Sequence, residues 1–354
     1  MESNLTSPEL LEQLHCPAFL VKDGYIQQAN QAATQRQFSV GSAISEYIAL
    51  GAEEYEAFAE GKLCLTLAAC DTCYNACVIK CEDVHIFYLD SDYQEPELRA
   101  FALAAQQLRE PLANAMTCAN YLLPDKCSED VQLQLAQLNK NLHQLHRSIC
   151  NMSDVATYQS IRYSQCHCQE IGSVFEEIME KAAQYIAKGD HTLTYTNLNK
   201  QLYTKVDAEK LERALLNLIS NAVKFAPSGS NIHASVRLSE KKVYFSIENI
   251  NAVPVTNQIG NIFNNYLREP GIEHPQAGIG LGLAIVRKTA AAHKGTLLLE
   301  SLENSGLRFT MTIAVEDIKA DILRSPVRLT VDYAGGYDHT LTELSDILSP
   351  ELYK

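Results

Sequence analysis

Apolar positions recur along this chain with two periods, and the changes of period divide it. In the first ninety residues the period is two. Segments 16–21, 25–30, 62–68, 73–80 and 84–89 alternate as short strands. Lys22-Asp23-Gly24 reads as a tight turn between the first two, since Asp-Gly tolerates positive φ. Asn30 ends the second strand as a helix cap. From 91 to 160 the period becomes heptad-like. Leu98, Phe101, Ala105, Leu108, Leu112, Ala115, Ala119 and Leu122 make one seam, and Val131, Leu135, Leu138, Leu142, Leu145, Ile149 and Met152 a second. Pro124-Asp125-Lys126 separates the two helices. A hairpin with one seam per helix buries both poorly alone, and a homodimeric four-helix bundle through helices 93–157 buries them well. A connector within one chain is the plainer alternative.

Past residue 165 the periods alternate. A helix is predicted over 171–188, with Gly189 as its C-cap, then a strand over 191–196. Residues 211–225 are strongly amphipathic, with Leu211, Leu215, Leu218 and Ala222 on one face. Segments 232–238 and 242–248 form a hairpin, 281–293 a helix, and 296–302 and 308–315 the last strands. An antiparallel sheet covered on one face by three helices is an α/β sandwich. In the tail, Ala334-Gly335-Gly336 is a turn, and 340–348 is predicted helical, with Thr340 as N-cap and Glu343 as its capping-box partner. Whether the tail packs on the sandwich or meets a partner is left open.

Two stretches carry candidate chemistry. In Gly278-Ile279-Gly280-Leu281-Gly282-Leu283 three glycines alternate just before a helix. Glycine lets backbone amides approach a ligand closely, and a helix N-terminus favours anions, so the stretch suits a phosphate. A tight turn explains it equally well when it is taken alone. It is not a dinucleotide fingerprint, because Leu283 stands where the last glycine belongs. Upstream, Asn217, Asn221 and Lys224 share one stripe of the amphipathic helix. Two carboxamides and an ammonium in line suit a metal–phosphate group, and a solvated polar face is the plainer reading.

Together the stretches resemble a family. Residues 207–227 are similar to the N box of histidine-kinase-type ATPases, 278–286 to their glycine-rich lid, and Ile262-Phe263-Asn264-Asn265-Tyr266-Leu267-Arg268 to the aromatic F box between them. The chain is thereby identified as a member of the sensor histidine kinase family, with an ATP-binding fold shared by gyrase and MutL. The resemblance implies ATP and Mg²⁺ as cofactors. It implies that Asn221 ligates Mg²⁺ with Asn217 nearby, that Lys224 meets the phosphates, and that Gly278, Gly280 and Gly282 let a lid close. The family's Asp-x-Gly-x-Gly adenine site reads Asn249-Ile250-Asn251-Ala252-Val253 here. An amide at Asn249 keeps an acceptor and a donor but loses charge assistance.

The acceptor box departs further. The family's His-Glu-Leu-Arg-Thr-Pro-Leu is Gln106-Gln107-Leu108-Arg109-Glu110-Pro111-Leu112. The Gln106 amide nitrogen is held in resonance and does not attack a γ-phosphate. Gln107 cannot take the proton that an acidic neighbour would. Catalytic residues are therefore expected to be none, with Gln106 and Gln107 as degenerate acceptor and base positions. His143 and His146, on the second helix, are weak substitutes. Strand, Asp-Gly turn, strand, short helices and three strands at the N-terminus look like a PAS sensor.

The expected architecture is thus α+β and multidomain: a PAS-like α/β sensor (1–90), a dimerising helical hairpin (91–160, a four-helix bundle as dimer), an α/β sandwich ATP-binding domain (165–316) and a tail (317–354). Expected function is a signalling protein that binds Mg-ATP and acts through conformation or partner binding, a response regulator or a related kinase being the partner. An active kinase that uses a non-standard acceptor or phosphorylates a partner directly, and a nucleotide-free dimeric scaffold, are the alternatives.

Composition narrows this little. The 354 residues are 46% hydrophobic, enough for several cores. A net charge of −14 argues against general nucleic-acid or anionic-membrane binding. No apolar run has membrane-spanning length and no secretory signal opens the chain, so a cytoplasmic location is expected. Eleven cysteines then imply reduced thiols. Cys70, Cys73, Cys77 and Cys81, with Cys64 before them, have metal-like spacing, but ligands three and four apart on strands alternate faces and spread. They read better as small apolar side chains, as does Cys166-His167-Cys168.

Overall fold

The computed structural model describes residues 11, 16–59, 61–70, 72–81, 83–89, 95–122, 128–157, 166–249, 281–302, 306–316 and 336–354. The glycines Gly278 and Gly280, the F-box stretch 262–268, the remainder of 250–280, and the turn residues 124–126 and 334–335 lie outside them.

Strands β1 (Ala18–Lys22) and β2 (Tyr25–Ala29) are joined at Asp23 and Gly24, with φ 52° and 80°. These are the positive angles a two-residue turn between twisted strands requires. Asn30 caps helix α1 (Gln31–Gln35): its Oδ1 accepts from the Ala33 amide at 2.9 Å and from the Ala18 amide at 3.1 Å. One side chain thus starts the helix and ties it to β1. After β3 (Ile48–Leu50) and α2 (Ala52–Ala57) come β4 (Lys62–Ala69), β5 (Thr72–Cys81) and β6 (Val84–Leu89). The strand order is β2-β1-β6-β5-β4, with β3 on β4. Phe19, Phe38 and Phe87 stack at the centre of its core.

Helices α3 (Glu95–Tyr121) and α4 (Glu129–Thr157) pack side by side through Ala105, Leu112, Met116, Ala119, Leu142 and Ile149. Among the described side chains, only part of each predicted seam lies inside this pair. Leu108, Leu122, Val131, Leu138 and Leu145, in register between the buried positions, are exposed. Pro111 sits within α3.

The second sheet carries β8 (Thr192–Thr196), β10 (Asn231–Ser239), β11 (Lys242–Asn249), β12 (Leu297–Leu302) and β13 (Gly306–Ala314), covered by α5 (Ile171–Ile186), α6 (Ala208–Phe225) and α7 (Gly282–Ala292). The sheet differs from the expectation of an all-antiparallel one, since β8 pairs with β10 in parallel. Helix α6 lies between them in the chain and makes the crossover that parallel pairing needs. Helix α5 ends at Ile186, and Gly189 is not left-handed, so Gly189 is not the αL cap expected. Two short strands that the alternation did not reveal, β7 (His167–Glu170) and β9 (Tyr203–Val206), form a separate ladder.

The two sheets are one. Strand β12 pairs antiparallel with β4, placing Leu297 opposite Cys64, Leu298 opposite Leu63 and Leu299 opposite Lys62. Eleven strands thereby run from the N-terminal unit into the C-terminal one. The close approach depends on Gly61 (φ 114°), where a Cβ would lie 2.2 Å from the Leu299 carbonyl oxygen.

The tail folds as α8 (His339–Glu343) and a 3₁₀ turn (Pro350–Tyr353), packed against α4, α5 and α6. Its cap is Asp338, whose Oδ1 accepts from the Leu341 amide at 2.8 Å. The expected cap, Thr340, is buried inside the helix, and Glu343 makes no capping box. A carboxylate at the N-cap accepts more strongly than a hydroxyl, which moves the start back by two residues.

Candidate functional site

Helix α6 begins at Asp207, whose Oδ1 accepts from the Lys210 amide at 3.1 Å. Leu211, Leu215, Leu218 and Ala222 are fully buried. Burying that face in the core fixes where the polar stripe goes, and α4, α8 and the residues after it meet it there. Asn217 is 1% exposed. Its Nδ2 donates to the Arg213 carbonyl at 2.9 Å and to Glu343 Oε2 at 3.2 Å, and its Oδ1 accepts from Arg147 Nη2 at 2.9 Å. Lys224 Nζ donates to Asp346 Oδ2 at 2.5 Å. Asn221 is half-buried on the same stripe.

The anionic half of this network comes from the tail. Glu343 is fully buried and joins two helices: Arg213 Nε donates to Oε1 at 2.9 Å and Arg147 Nε to Oε2 at 3.1 Å. Asp346 Oδ2 also accepts from Arg147 Nη1 at 2.6 Å. Arg213 completes its fork on α4, donating to Asn151 Oδ1 at 2.8 Å and to Asp154. Burial pushes the Asp346 carboxyl up, but Arg147 and Lys224 outweigh it and hold the group below its ordinary range. Burial lowers the Lys224 ammonium despite Asp346. Leaving one partner of a buried charged network alone costs about 3–5 kcal/mol, so these cations need an anion.

Gly282 opens α7 beside Asn217. A Cβ there would lie 2.5 Å from Asn217 Oδ1, so the glycine permits contact between the two helices. Asn249 is fully buried at the end of β11; its Oδ1 accepts from the Leu307 amide at 2.7 Å and its Nδ2 donates to the Ala222 carbonyl at 3.3 Å. Both ends of its amide thus join strand to strand and strand to helix.

On α3, Gln106 and Gln107 are exposed, and Arg109 Nη2 donates to Ser153 Oγ at 2.9 Å. His143 and His146 lie beneath the tail: Thr342 Oγ1 is 2.9 Å from His143 Nδ1, and the Tyr337 ring sits against both imidazoles. The cysteines do not converge. Cys70 and Cys73 are exposed near the β4–β5 turn, whereas Cys64 and Cys77 face each other inside, Sγ atoms 3.0 Å apart. Cys166 stands 3.9 Å from His293 Nε2, which accepts from the Asp207 amide.

The site residues brought together are therefore Asn217, Lys224 and Gly282, with Asn249 behind α6. Four others were missed in the sequence: Arg147, Arg213, Glu343 and Asp346. Arg213 had a signal, since it extends the stripe of Asn217 and Asn221 by one turn. The rest come from distant segments, and nothing local marks them.

Comparison with known proteins matches this description. Residues 206–317 match the family described as histidine kinase-, DNA gyrase B-, and HSP90-like ATPase. Histidine kinase P4 of Formosa agariphila is 27% identical over 234 residues, 63% of this chain and 17% of that protein. Sensor histidine kinase CusS of Escherichia coli strain K12 is 28% identical over 222 residues, 59% of this chain and 44% of its own. Among solved structures, full-length ShkA in complex with AMPPNP superposes with a TM-score of 0.50 at 19% identity, over 62% of this chain and 47% of that one, a likeness of fold. The chain spans less than half the length of each of these relatives. The C-terminal sheet, its three helices and the α6 stripe define an ATPase domain of the histidine kinase and gyrase class. Beyond that domain the chain is similar to sensor histidine kinases, at 27–28% identity over 59–63% of its length. Among the described residues no helix is long and apolar enough to cross a membrane.

Proposed function

We propose that this protein is a signalling member of the family that binds Mg-ATP on α6 and acts by changing conformation or partner, without phosphorylating itself at the customary position. The observation that carries this is the coexistence of the Asn217–Asn221–Lys224 stripe with glutamine at positions 106 and 107. The donor set suits the ligand. The stripe accepts anions, since it already holds two carboxylates. Lys224 and Asn217 would take phosphate oxygens, and the Asn221 carbonyl would take magnesium, a hard cation that keeps most of its waters. Bound magnesium supplies charge neutralisation for the phosphates. Exposed Gln106 offers them no nucleophile.

The strand order β2-β1-β6-β5-β4 supports a PAS-like sensor at the N-terminus. The exposed stripe of the hairpin supports a homodimeric bundle. A cytoplasmic location and a response regulator or a related kinase as partner complete the reading. A second reading, a nucleotide-free dimeric scaffold, is favoured by one observation: Asn217, Lys224 and Asn249 are all engaged within the chain.

Calorimetric titration with ATP, with and without Mg²⁺, separates the two. Magnesium-dependent binding that Asn221→Ala weakens at least tenfold is expected, and no heat at millimolar nucleotide would leave the scaffold. Incubation with γ-labelled ATP is expected to leave the chain unlabelled. Acid-labile, base-stable label would restore the third possibility, an active kinase using another acceptor such as His143 or His146.

A further inference from the structure

The tail does more than cover the ATPase domain. Its two carboxylates occupy the donors of the α6 stripe, and they come as a pair. Glu343 takes Asn217, Arg147 and Arg213, and Asp346 takes Lys224 and Arg147. Arg147 belongs to α4, so the same carboxylates fasten the hairpin to the ATPase domain. Around them the tail is firmly seated. Leu344, Leu348 and Tyr353 are buried in the core shared with α5 and α6, the Tyr353 carbonyl accepts from Asn139 Nδ2 at 3.0 Å, and Gln144 Nε2 donates to the Ser345 carbonyl at 3.3 Å.

Both N–H groups of the Asn217 carboxamide are engaged, by the Arg213 carbonyl and by Glu343, and the Asp346 carboxylate lies 2.5 Å from Lys224 Nζ, so phosphate oxygens reach these donors at full strength only by displacing the tail carboxylates. With the tail removed, Arg147, Arg213 and Lys224 would face one another with fewer anions between them, and such a cluster draws an anionic replacement. We propose that the C-terminal segment 338–353 is an internal competitor of the nucleotide: Glu343 and Asp346 hold the Asn217 and Lys224 donors that the phosphates would use, so nucleotide binding and tail docking exclude each other. This rests on the reading of α6 as a nucleotide site and adds its regulation. Release of the tail breaks the Arg147–Glu343 and Arg147–Asp346 links and leaves α4 tied to α6 by the direct Arg147–Asn217, Arg213–Asn151 and Arg213–Asp154 bonds, so the hold of the ATPase domain on α4 loosens when nucleotide enters. The ligand is thereby coupled to the geometry of the hairpin.

The test uses the full chain. Hydrogen exchange is followed at amides 339–348 with and without Mg-AMPPNP, and nucleotide affinity is measured by calorimetry for the parent chain, Asp346→Ala and Asp346→Lys. Asp346 is on the rim, and the alanine variant keeps the buried Glu343 in place, so the fold survives if the lysine variant proves too disruptive. Saturating nucleotide is expected to raise exchange at 339–348 about tenfold, and Asp346→Ala to tighten nucleotide binding about tenfold by weakening the competing state. Nucleotide bound with tail exchange unchanged, and equal affinity in both variants, overturns the competition while leaving the nucleotide site standing. No binding in any of the three chains, with the variant tails exchanging freely, sinks the nucleotide site itself and the competition with it.

Discussion

His143 shows how a single residue reports on tail docking. Burial, with His146 adding and Asp338 opposing, pushes its pKa down to about 4 from an ordinary value near 6.5. The folded chain therefore holds it neutral where the unfolded chain binds a proton. Above about pH 6.5 its contribution is constant; as pH falls from 6.5 toward 4, stability is lost, by at most roughly 1.4 kcal/mol per pH unit. Denaturant unfolding at pH 7 and pH 5 should show a larger loss for the parent chain than for His143→Gln. Equal losses would mean that His143 is already solvated. The sequence placed this histidine on α4 but said nothing of its surroundings, because Thr342, Tyr337 and Tyr353 lie some two hundred positions away. Asn217 repeats the lesson: the residue type and stripe were readable, but its partners on α4 and the tail were not.

Among the elements, the hairpin is the most legible and the least complete. Heptad spacing marked both helices. It did not divide each seam into a buried half, with Ala105, Leu112, Ala119, Leu142 and Ile149, and an exposed half, with Leu108, Leu122, Val131, Leu138 and Leu145. Two helices can cover only one stripe each, and a second hairpin, as proposed above, would cover the other. Replacing Leu138 and Leu145 together by glutamate is expected to convert a dimer to monomer in sedimentation equilibrium, with helix content unchanged. A parent chain already monomeric at about 100 μM, a concentration that saturates a micromolar dimer, would remove the bundle. Elsewhere strands and helices followed their periods closely. The departures came where context overrode spacing: the parallel β8–β10 pair, the two strands of the small ladder, and Asp338 in place of Thr340 at the tail cap.

At the scale of the whole molecule the unexpected feature is the continuous sheet. Pairing of β4 with β12 links the N-terminal core to the ATPase core by backbone hydrogen bonds, a stiffer junction than a linker. Gly61→Ala attacks it directly, since the new methyl would strike the Leu299 carbonyl in a backbone conformation that alanine adopts only under strain. Faster amide exchange at Leu63 and at 297–299 is expected, together with a split of one thermal unfolding transition into two. An unchanged single transition would show that the junction contributes little to cooperativity.

The sequence by itself determined most of the helices and strands, the resemblance to histidine-kinase-type ATPases, the stripe of Asn217, Asn221 and Lys224, and the presence of glutamine at position 106, because periodicity and side-chain chemistry are local properties. Only the tertiary structure decided what that stripe faces. Arg147, Arg213, Glu343 and Asp346 come from three separate segments, and charges so far apart in the chain acquire a common meaning only when folding removes them from water together.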